Sequence, residues 1–113
     1  MIAETWNKYA QCWSHEESER STLLPERVTP DVRYRDVNVE LAGEDALAAY
    51  MAGFQRAFPG HRFVIRDVVE HHQRSMARWS QVDPGGGVVI DGVSFALHDD
   101  AGRLYDITGF FGT

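Results

Sequence analysis

The apolar positions of this chain repeat with a helical period up to residue 60 and with a period of two beyond it. A first helix is predicted over residues 2–17, and its apolar face comprises Ile2, Trp6, Tyr9, Ala10 and Trp13. A polar, acidic bend is expected over residues 14–21. A short second helix over residues 18–28 would bury Leu23 and Leu24, with Pro25 limiting its start or kinking it.

The segment from Thr29 to Gly60 predicts a strand, an embedded acid and the most regular helix of the chain. Thr29 precedes a proline and is therefore pushed toward extended backbone. Tyr34 and Asp36 share one face of this strand, so an acid points the same way as an aromatic ring. Acidic residues after Gly43 favour a helix start. The apolar stripe of that helix comprises Leu47, Tyr50, Met51, Phe54 and Phe58.

Alternating apolar and polar residues after Gly60 predict four strands. Their expected ranges are residues 63–69, 76–82, 88–98 and 104–111, with turns at the DPGGG and DDAG sequences. Helices followed by a meander of antiparallel strands are typical of the α+β class, with the helices on one face of a curved sheet. The chain has 113 residues and no internal repeat or linker, so residues 1–113 are predicted to form a single domain.

The composition limits the classes of partner. The formal charge is −6 and the 11 basic residues are scattered, whereas nucleic-acid and anionic membrane surfaces require clustered Lys and Arg. No apolar run approaches the ~20 residues of a membrane span. Cys12 is the only cysteine, so an internal disulfide is excluded. We therefore expect a cytoplasmic protein that binds neither nucleic acid nor membrane.

Asp36 is the strongest candidate for chemistry. Carboxylates are rare among apolar side chains unless they are paired or used. One interpretation is that Asp36 is a general base beside an apolar pocket. The other is that Asp36 forms an ion pair with Arg33, Arg35 or another cation at the end of its strand, and the sequence leaves both interpretations open.

Histidines and glycines suggest further sites. His71 and His72 invite a metal site, but adjacent residues of an extended chain point to opposite faces, so a polar turn is preferred. Only His72 is kept as a candidate, at the rim of a pocket. His98 precedes an acidic turn and is expected to be exposed. The glycines at residues 85–87 lie between two strands and lack the strand-to-helix setting of a phosphate loop. No metal and no cofactor are predicted.

Five segments, in their order, resemble the nuclear transport factor 2-like superfamily and within it the SnoaL-like branch. They are WNKYAQCW, TPDVRYRD, GEDALAAYMAGFQRAFPGHRF, MARW and DDAGRLYDITGFFG, and together they span nearly the whole chain. The resemblance implies a cone-shaped fold, in which a strongly bent antiparallel sheet wraps around N-terminal helices and leaves an apolar pocket at its open end. Members include ketosteroid isomerases, polyketide cyclases and domains without catalysis, so the resemblance does not settle the function.

The resemblance also implies site residues. Asp36 matches the aspartate general base of the isomerases, and Tyr9 is the nearest match to the tyrosine that donates a hydrogen bond to the oxyanion. The second acid of the isomerases and cyclases falls at Ser94 or Val93, so it is missing, and Ser94 is the remaining polar candidate. The expected pocket residues are Trp13, Tyr50, Phe54, Trp79 and Phe111.

Two functions remain open. The first is an isomerase-, cyclase- or hydratase-like enzyme without cofactor, in which Asp36 moves a proton of an apolar, oxygen-bearing small molecule and Tyr9 with Ser94 holds the oxygen. The second is a non-catalytic ligand-binding or dimerisation domain with the same pocket. A homodimer through the outer sheet face is expected, because the later strands carry apolar residues at both parities, as at Phe95 and Ala96.

Overall fold

The computed structural model describes residues 2–14 and 16–112, which contain three helices and six strands in an α+β arrangement. The elements are α1 (Ile2–Gln11), α2 (Glu17–Arg27), β1 (Val28–Arg35), β2 (Glu40–Ala42), α3 (Glu44–Ala57), β3 (Arg62–His71), β4 (Arg74–Val82), β5 (Val88–His98) and β6 (Leu104–Phe111). The predicted fold class is confirmed, and the last two strands have the predicted bounds.

All six strands form one curled sheet in the order β2-β1-β6-β5-β4-β3. The four strands after Gly60 pair antiparallel with their neighbours, as predicted. Strand β1 pairs parallel with β6, where Tyr34 lies beside Ile107, so the sheet as a whole is mixed. Register shifts interrupt four of the five strand pairs, the exception being β1–β2, and such irregularities bend a sheet.

The first helix is shorter than the sequence predicts. Helix α1 ends at Gln11, and its chain closes in a turn in which the Cys12 and Trp13 N–H groups donate to carbonyls three residues earlier. This tighter turn brings Trp13 onto the same interior as α1 while the chain changes direction. Residue 15 of the predicted helix and bend lies outside the described residues.

The helices pack against the inner face of the sheet. The Trp6 indole N–H donates to Ser75 Oγ at 2.9 Å and so fixes α1 on strand β4. Leu24 of α2 and Leu47 and Met51 of α3 are fully buried in the same core, where burial of a large apolar side chain stabilises the fold by roughly 1.5–3 kcal/mol. No helix of the described ranges is long and apolar enough to cross a membrane.

Candidate functional site

Helices α1 and α3 and the inner face of the sheet enclose a cavity of about 600 Å³, a size that suits a small molecule. All five residues predicted to line a pocket do so: Trp13, Tyr50, Phe54, Trp79 and Phe111. Phe58 and Val89 also line the cavity and are about half exposed. The cavity therefore opens between the end of α3 and the start of β5.

Trp13 is the centre of the aromatic wall. Its ring centroid lies 5.7–5.8 Å from those of four other rings, which are Tyr34, Tyr50, Phe54 and Phe63. Three of these contacts are edge-to-face, the arrangement that the quadrupoles of aromatic rings favour. The wall joins the turn after α1 to β1, α3 and β3, so each of these segments positions the same cavity surface.

The Asp36 carboxylate lies in this wall and accepts four hydrogen bonds. Oδ2 accepts from the Tyr34 hydroxyl at 2.8 Å and from the Tyr50 hydroxyl at 3.0 Å. Oδ1 accepts from the backbone N–H groups of Asn38 at 2.8 Å and Val39 at 3.3 Å. Each carboxylate oxygen thus has two donors, which is an arrangement suited to an ionised acid.

The turn that follows β1 orients the Asp36 carboxylate. Asp36 directly follows β1, and its own N–H donates to the Val39 carbonyl at 3.0 Å, which closes a turn before β2. An aspartate at the start of such a turn commonly accepts from N–H groups two or three residues on. The turn therefore orients the carboxylate, and Tyr50 reaches it from α3 on the opposite side.

The ion-pair interpretation of Asp36 is not seen among the described residues. The Arg35 guanidinium bonds Asp106 at 2.8 Å and Glu40 at 3.2 Å instead, and Arg33 is exposed. Asp36 is half-buried rather than largely buried. Asp36 shares the inner face with Tyr34, two residues before it, as the alternation of the strand predicted.

Three tyrosines line the cavity together with Asp36, and burial raises the pKa of each of their hydroxyls. Burial and then the neighbouring ionisable groups raise the pKa of Tyr34 well above its ordinary value. Burial and the hydrogen bond to Asp36 raise the pKa of Tyr50 to about 12. Burial also raises the pKa of Tyr9 far above the ordinary range, and the Trp13 indole partly opposes that rise. All three phenols are therefore neutral donors at physiological pH.

The Tyr9 hydroxyl differs from the other two because it is buried and has no partner in hydrogen-bond geometry among the described residues; the Trp13 indole lies near enough to affect its pKa but does not form such a bond. Tyr9 is 5% exposed and lines the cavity. A buried hydroxyl without a partner typically costs ~1–3 kcal/mol. A ligand oxygen in the cavity is a group that could relieve this cost.

Ser94 lies on the cavity wall beside Asp36. Its Oγ accepts the Trp79 indole N–H at 3.0 Å, which leaves the hydroxyl proton for another acceptor. A Cβ added at Gly109 would lie 3.3 Å from Ser94 Oγ and 3.7 Å from Asp36 Cβ, so both residues flank this glycine. One of the two positions at which the resemblance places the second acid thus faces the cavity, but it carries a hydroxyl.

Two polar residues that line the cavity were not predicted from the sequence. Gln81 lines the cavity and is buried, with Nε2 3.0 Å from His61 Nδ1. Asn38 lines the cavity through the turn that follows Asp36. The spacing of Gln81 two residues after Trp79 on one strand was a signal that both face the cavity. A turn residue such as Asn38 belongs to no periodic pattern, so its position on the cavity could not be predicted in this way.

The histidine predictions need correction. His72 lies at the exposed tip of the β3–β4 hairpin and does not line the cavity. His71 and His72 do not diverge: their Nδ1 atoms are 3.1 Å apart, because His72 and Gln73 adopt positive φ in a tight turn. His98 is buried at 6% exposure rather than exposed, since it ends β5 on the inner face. Within residues 2–14 and 16–112 no three His, Cys, Asp or Glu side chains are grouped to hold a metal ion.

Comparison with known proteins points to one family. Residues 7–107 match the SnoaL-like domain. A candidate isomerase of the SnoaL-like family from Agrobacterium tumefaciens superposes with a TM-score of 0.90 at 23% identity, over 98% of this chain and 97% of that one. A candidate SnoaL-like polyketide cyclase from Jannaschia has a TM-score of 0.78 at 20% identity, over 97% and 84%.

IdmH, a candidate polyketide cyclase from Streptomyces antibioticus, has a TM-score of 0.78 at 14% identity, over 98% of this chain and 91% of that one. At these identities the three structures establish a shared fold. No curated protein sequence matches the chain.

Proposed function

The chain belongs to the family of SnoaL-like domains, and we propose that it is a cofactor-independent enzyme of the isomerase or cyclase type. Its substrate is an apolar small molecule that carries an oxygen, and Asp36 is the proton acceptor. One observation carries the proposal: a carboxylate with no cation paired to it among the described residues lies in the wall of a mostly apolar cavity. Unpaired acids in such surroundings are typical of sites that use them.

The hydroxyl groups of the cavity support an oxygen-bearing substrate. Tyr9 presents a buried donor that lacks a partner in the part of the chain that the structure describes, and Ser94 has a hydroxyl proton to donate. Proton removal next to a carbonyl places negative charge on its oxygen, and preorganised neutral donors stabilise that charge. Loss of one such donor typically lowers the rate by about 10²-fold or more.

The size and lining of the cavity support an apolar substrate. Its volume of about 600 Å³ holds a molecule of several rings or an extended chain. The ring faces around Trp13 offer apolar contact on several sides. The candidate isomerase from Agrobacterium tumefaciens and the candidate cyclases from Jannaschia and Streptomyces antibioticus share the fold and favour the same reaction class.

A second candidate function is ligand binding without catalysis. The observation that favours it is the full set of four donors on Asp36. A carboxylate with this many hydrogen bonds has a sufficient structural role in fastening β1 to α3, without any catalytic role. In that case the cavity binds an apolar molecule and Asp36 contributes to stability alone.

The test is a substrate screen with matched variants. Ketosteroids, polyketide-like ketones and small epoxides are incubated with the wild type and with Asp36→Asn, and Asp31→Asn on the same strand is the control because Asp31 is exposed. We expect Asp36→Asn to abolish turnover with little change in affinity, Asp31→Asn to retain it, and Tyr9→Phe to lower the rate more than it weakens binding.

Two results decide between the candidates. Turnover of a genuine substrate by Asp36→Asn at the wild-type rate contradicts the proposed mechanism. Ligands that raise the melting temperature without any turnover favour the binding function, since a ligand that binds only the folded state stabilises it.

A further inference from the structure

The Asp36 carboxylate has no acceptor position free for a substrate. An ionised carboxylate offers about four lone-pair sites, and four donors occupy them: the hydroxyls of Tyr34 and Tyr50 at Oδ2, and the N–H groups of Asn38 and Val39 at Oδ1. A substrate proton can reach Asp36 directly only if one of these hydrogen bonds breaks. The identity of the donor that faces the substrate therefore decides how the proton travels.

Three of the four donors are fixed by the fold. The two N–H groups belong to the turn that the Asp36 N–H closes on the Val39 carbonyl. The Tyr34 side chain is 6% exposed and packs against Trp13. Tyr50 also lines the cavity, as Tyr34 does, but its side chain is only half-buried. Of the two tyrosines that donate to Oδ2, Tyr50 is therefore the one more accessible to a molecule in the cavity.

We infer that Tyr50 is the catalytic residue that contacts the substrate and relays its proton to Asp36; this rests on the proposed function. The substrate C–H bond breaks and its proton goes to the Tyr50 oxygen, while the electron pair stays on the substrate as an enolate. In the same step the Tyr50 O–H bond breaks and its proton goes to Asp36 Oδ2. Tyr50 ends as the neutral phenol that it was, and Asp36 ends as a carboxylic acid. The reverse path returns the proton to another atom of the substrate, which completes an isomerisation.

The surroundings of Tyr50 suit a relay. Its pKa is raised to about 12, so the phenol does not persist as a phenolate, and the loss of one proton is coupled to the gain of the other. The Asn38 side-chain amide lowers the pKa of Tyr50, which means that it stabilises negative charge on the phenol oxygen. Charge that develops there while the protons move is therefore stabilised by a neutral donor.

The probe is nitrobenzisoxazole, which opens to a coloured cyanophenolate when a base removes its C–H proton and its N–O bond breaks. It is small enough for the cavity and needs no natural substrate. In a relay, the proton that reaches Asp36 comes from an exchangeable O–H, so the wild-type rate falls when the reaction is run in D₂O. Direct removal of the C–H proton by Asp36 transfers no exchangeable proton from Tyr50, so the rate falls much less in D₂O.

Four variants complete the test. We expect Tyr50→Phe to lose about 10²-fold or more of the rate, as a general acid–base group does, and to match the loss in Asp36→Asn. Tyr34→Phe should lose only a few-fold, since three donors and the relay remain. Tyr105→Phe is the control and should match the wild type, because Tyr105 is exposed on β6 and does not line the cavity. Circular dichroism checks that each variant is folded.

The outcomes separate the relay from the proposed function. An inactive Asp36→Asn together with a Tyr50→Phe that retains or exceeds the wild-type rate overturns the relay alone. Equal wild-type rates in H₂O and D₂O also overturn it, even if Tyr50→Phe fails to fold. A wild-type rate no higher than that of Asp36→Asn contradicts the proposed function, and the relay with it.

Discussion

The Tyr50 hydroxyl donates to Asp36 Oδ2 at 3.0 Å and so joins helix α3 to the end of strand β1 across 14 positions of sequence. A hydrogen bond to a charged acceptor typically contributes ~1.5–3 kcal/mol. The contact therefore serves the fold and the candidate site together: the helix that lines the cavity is held by the same carboxylate that the proposed chemistry uses.

Asp36→Asn should fold. The asparagine carbonyl can accept the two backbone N–H groups, and its NH₂ group can donate to the tyrosine oxygens once their hydroxyls rotate. We expect a loss of about 1–2 kcal/mol in the free energy of unfolding, since charged hydrogen bonds become neutral ones. Urea unfolding measures the loss, and Asp36→Ala, which leaves all four donors without an acceptor, should lose more. Equal losses in the two variants would contradict this account of the carboxylate.

Stability should decline at alkaline pH. Folding raises the pKa of Tyr50 from its ordinary value of 10.0 to about 12. Between these two pH values Tyr50 keeps its proton in the folded state, whereas in the unfolded chain it has lost it. The stabilisation is complete below about pH 10 and disappears as the pH rises through 12. Tyr34 and Tyr9 shift in the same direction and add to the decline.

Urea unfolding at a series of pH values checks this prediction. Tyr50→Phe should show a shallower decline above pH 10 than the wild type, because one of the shifted phenols is gone. Tyr105→Phe is the matched control. A decline in Tyr50→Phe as steep as that of the wild type would argue against the raised pKa of Tyr50.

Gly92→Ala should displace Trp79 and disturb the cavity. A Cβ at Gly92 would overlap the Trp79 ring, which packs directly over this glycine. Overpacking of this kind typically costs about 1–3 kcal/mol, and we expect a shift in tryptophan fluorescence with it. Gly53→Ala is the control, because its Cβ would have only an ordinary contact of 3.7 Å within α3. Gly53→Ala should instead stabilise by roughly 0.5–1 kcal/mol. Stabilisation of both variants would refute the close contact at Trp79.

The outer face of the sheet should form a homodimer interface with a second copy of the chain. Val69, Met76 and Phe95 lie in register across β3, β4 and β5, and Phe110 of β6 packs 5.9 Å from Phe95 between ring centroids. We call these four residues the outer apolar patch. Three of its members, Val69, Phe95 and Phe110, are about half exposed, and adjoining exposed apolar side chains of this kind mark an interface.

Light scattering at micromolar concentration tests the dimer. We expect a dimer for the wild type and a monomer for Phe95→Glu, because a charge would be buried without a partner in the interface. Val88→Glu is the control, since Val88 is exposed at the start of β5 and lies outside the outer apolar patch. A monomeric wild type would refute the prediction, and so would a dimer that persists in Phe95→Glu.

Local pattern predicted most elements but not the order in which the strands pair in the sheet. The period of two after Gly60 predicted β5 and β6 at their observed bounds, and the stripe from Leu47 predicted α3. The parallel pairing of β1 with β6 joins residues about 70 positions apart, and no local period carries that information. Strand β2 was missed because its three residues are too few to show a period.

The sequence alone determined which side chains share a face. The alternation in β1 placed Tyr34 and Asp36 together, and the helical stripe placed Tyr50 and Phe54 toward the same interior. Faces follow from the fixed geometry of strands and helices, so residue order suffices for them. It was enough to place Asp36 beside Tyr34, whereas the five cavity residues were named from the resemblance to SnoaL-like domains.

Only the tertiary structure decided what those side chains bind. It gave Asp36 the hydroxyls of Tyr34 and Tyr50 instead of an arginine, left the Tyr9 hydroxyl without a partner within residues 2–14 and 16–112, and buried His98. A hydrogen bond depends on distances of a few tenths of an ångström between elements that are remote in sequence. Those distances are set by how the helices and the curled sheet pack, because packing moves whole elements while the local pattern of each stays the same.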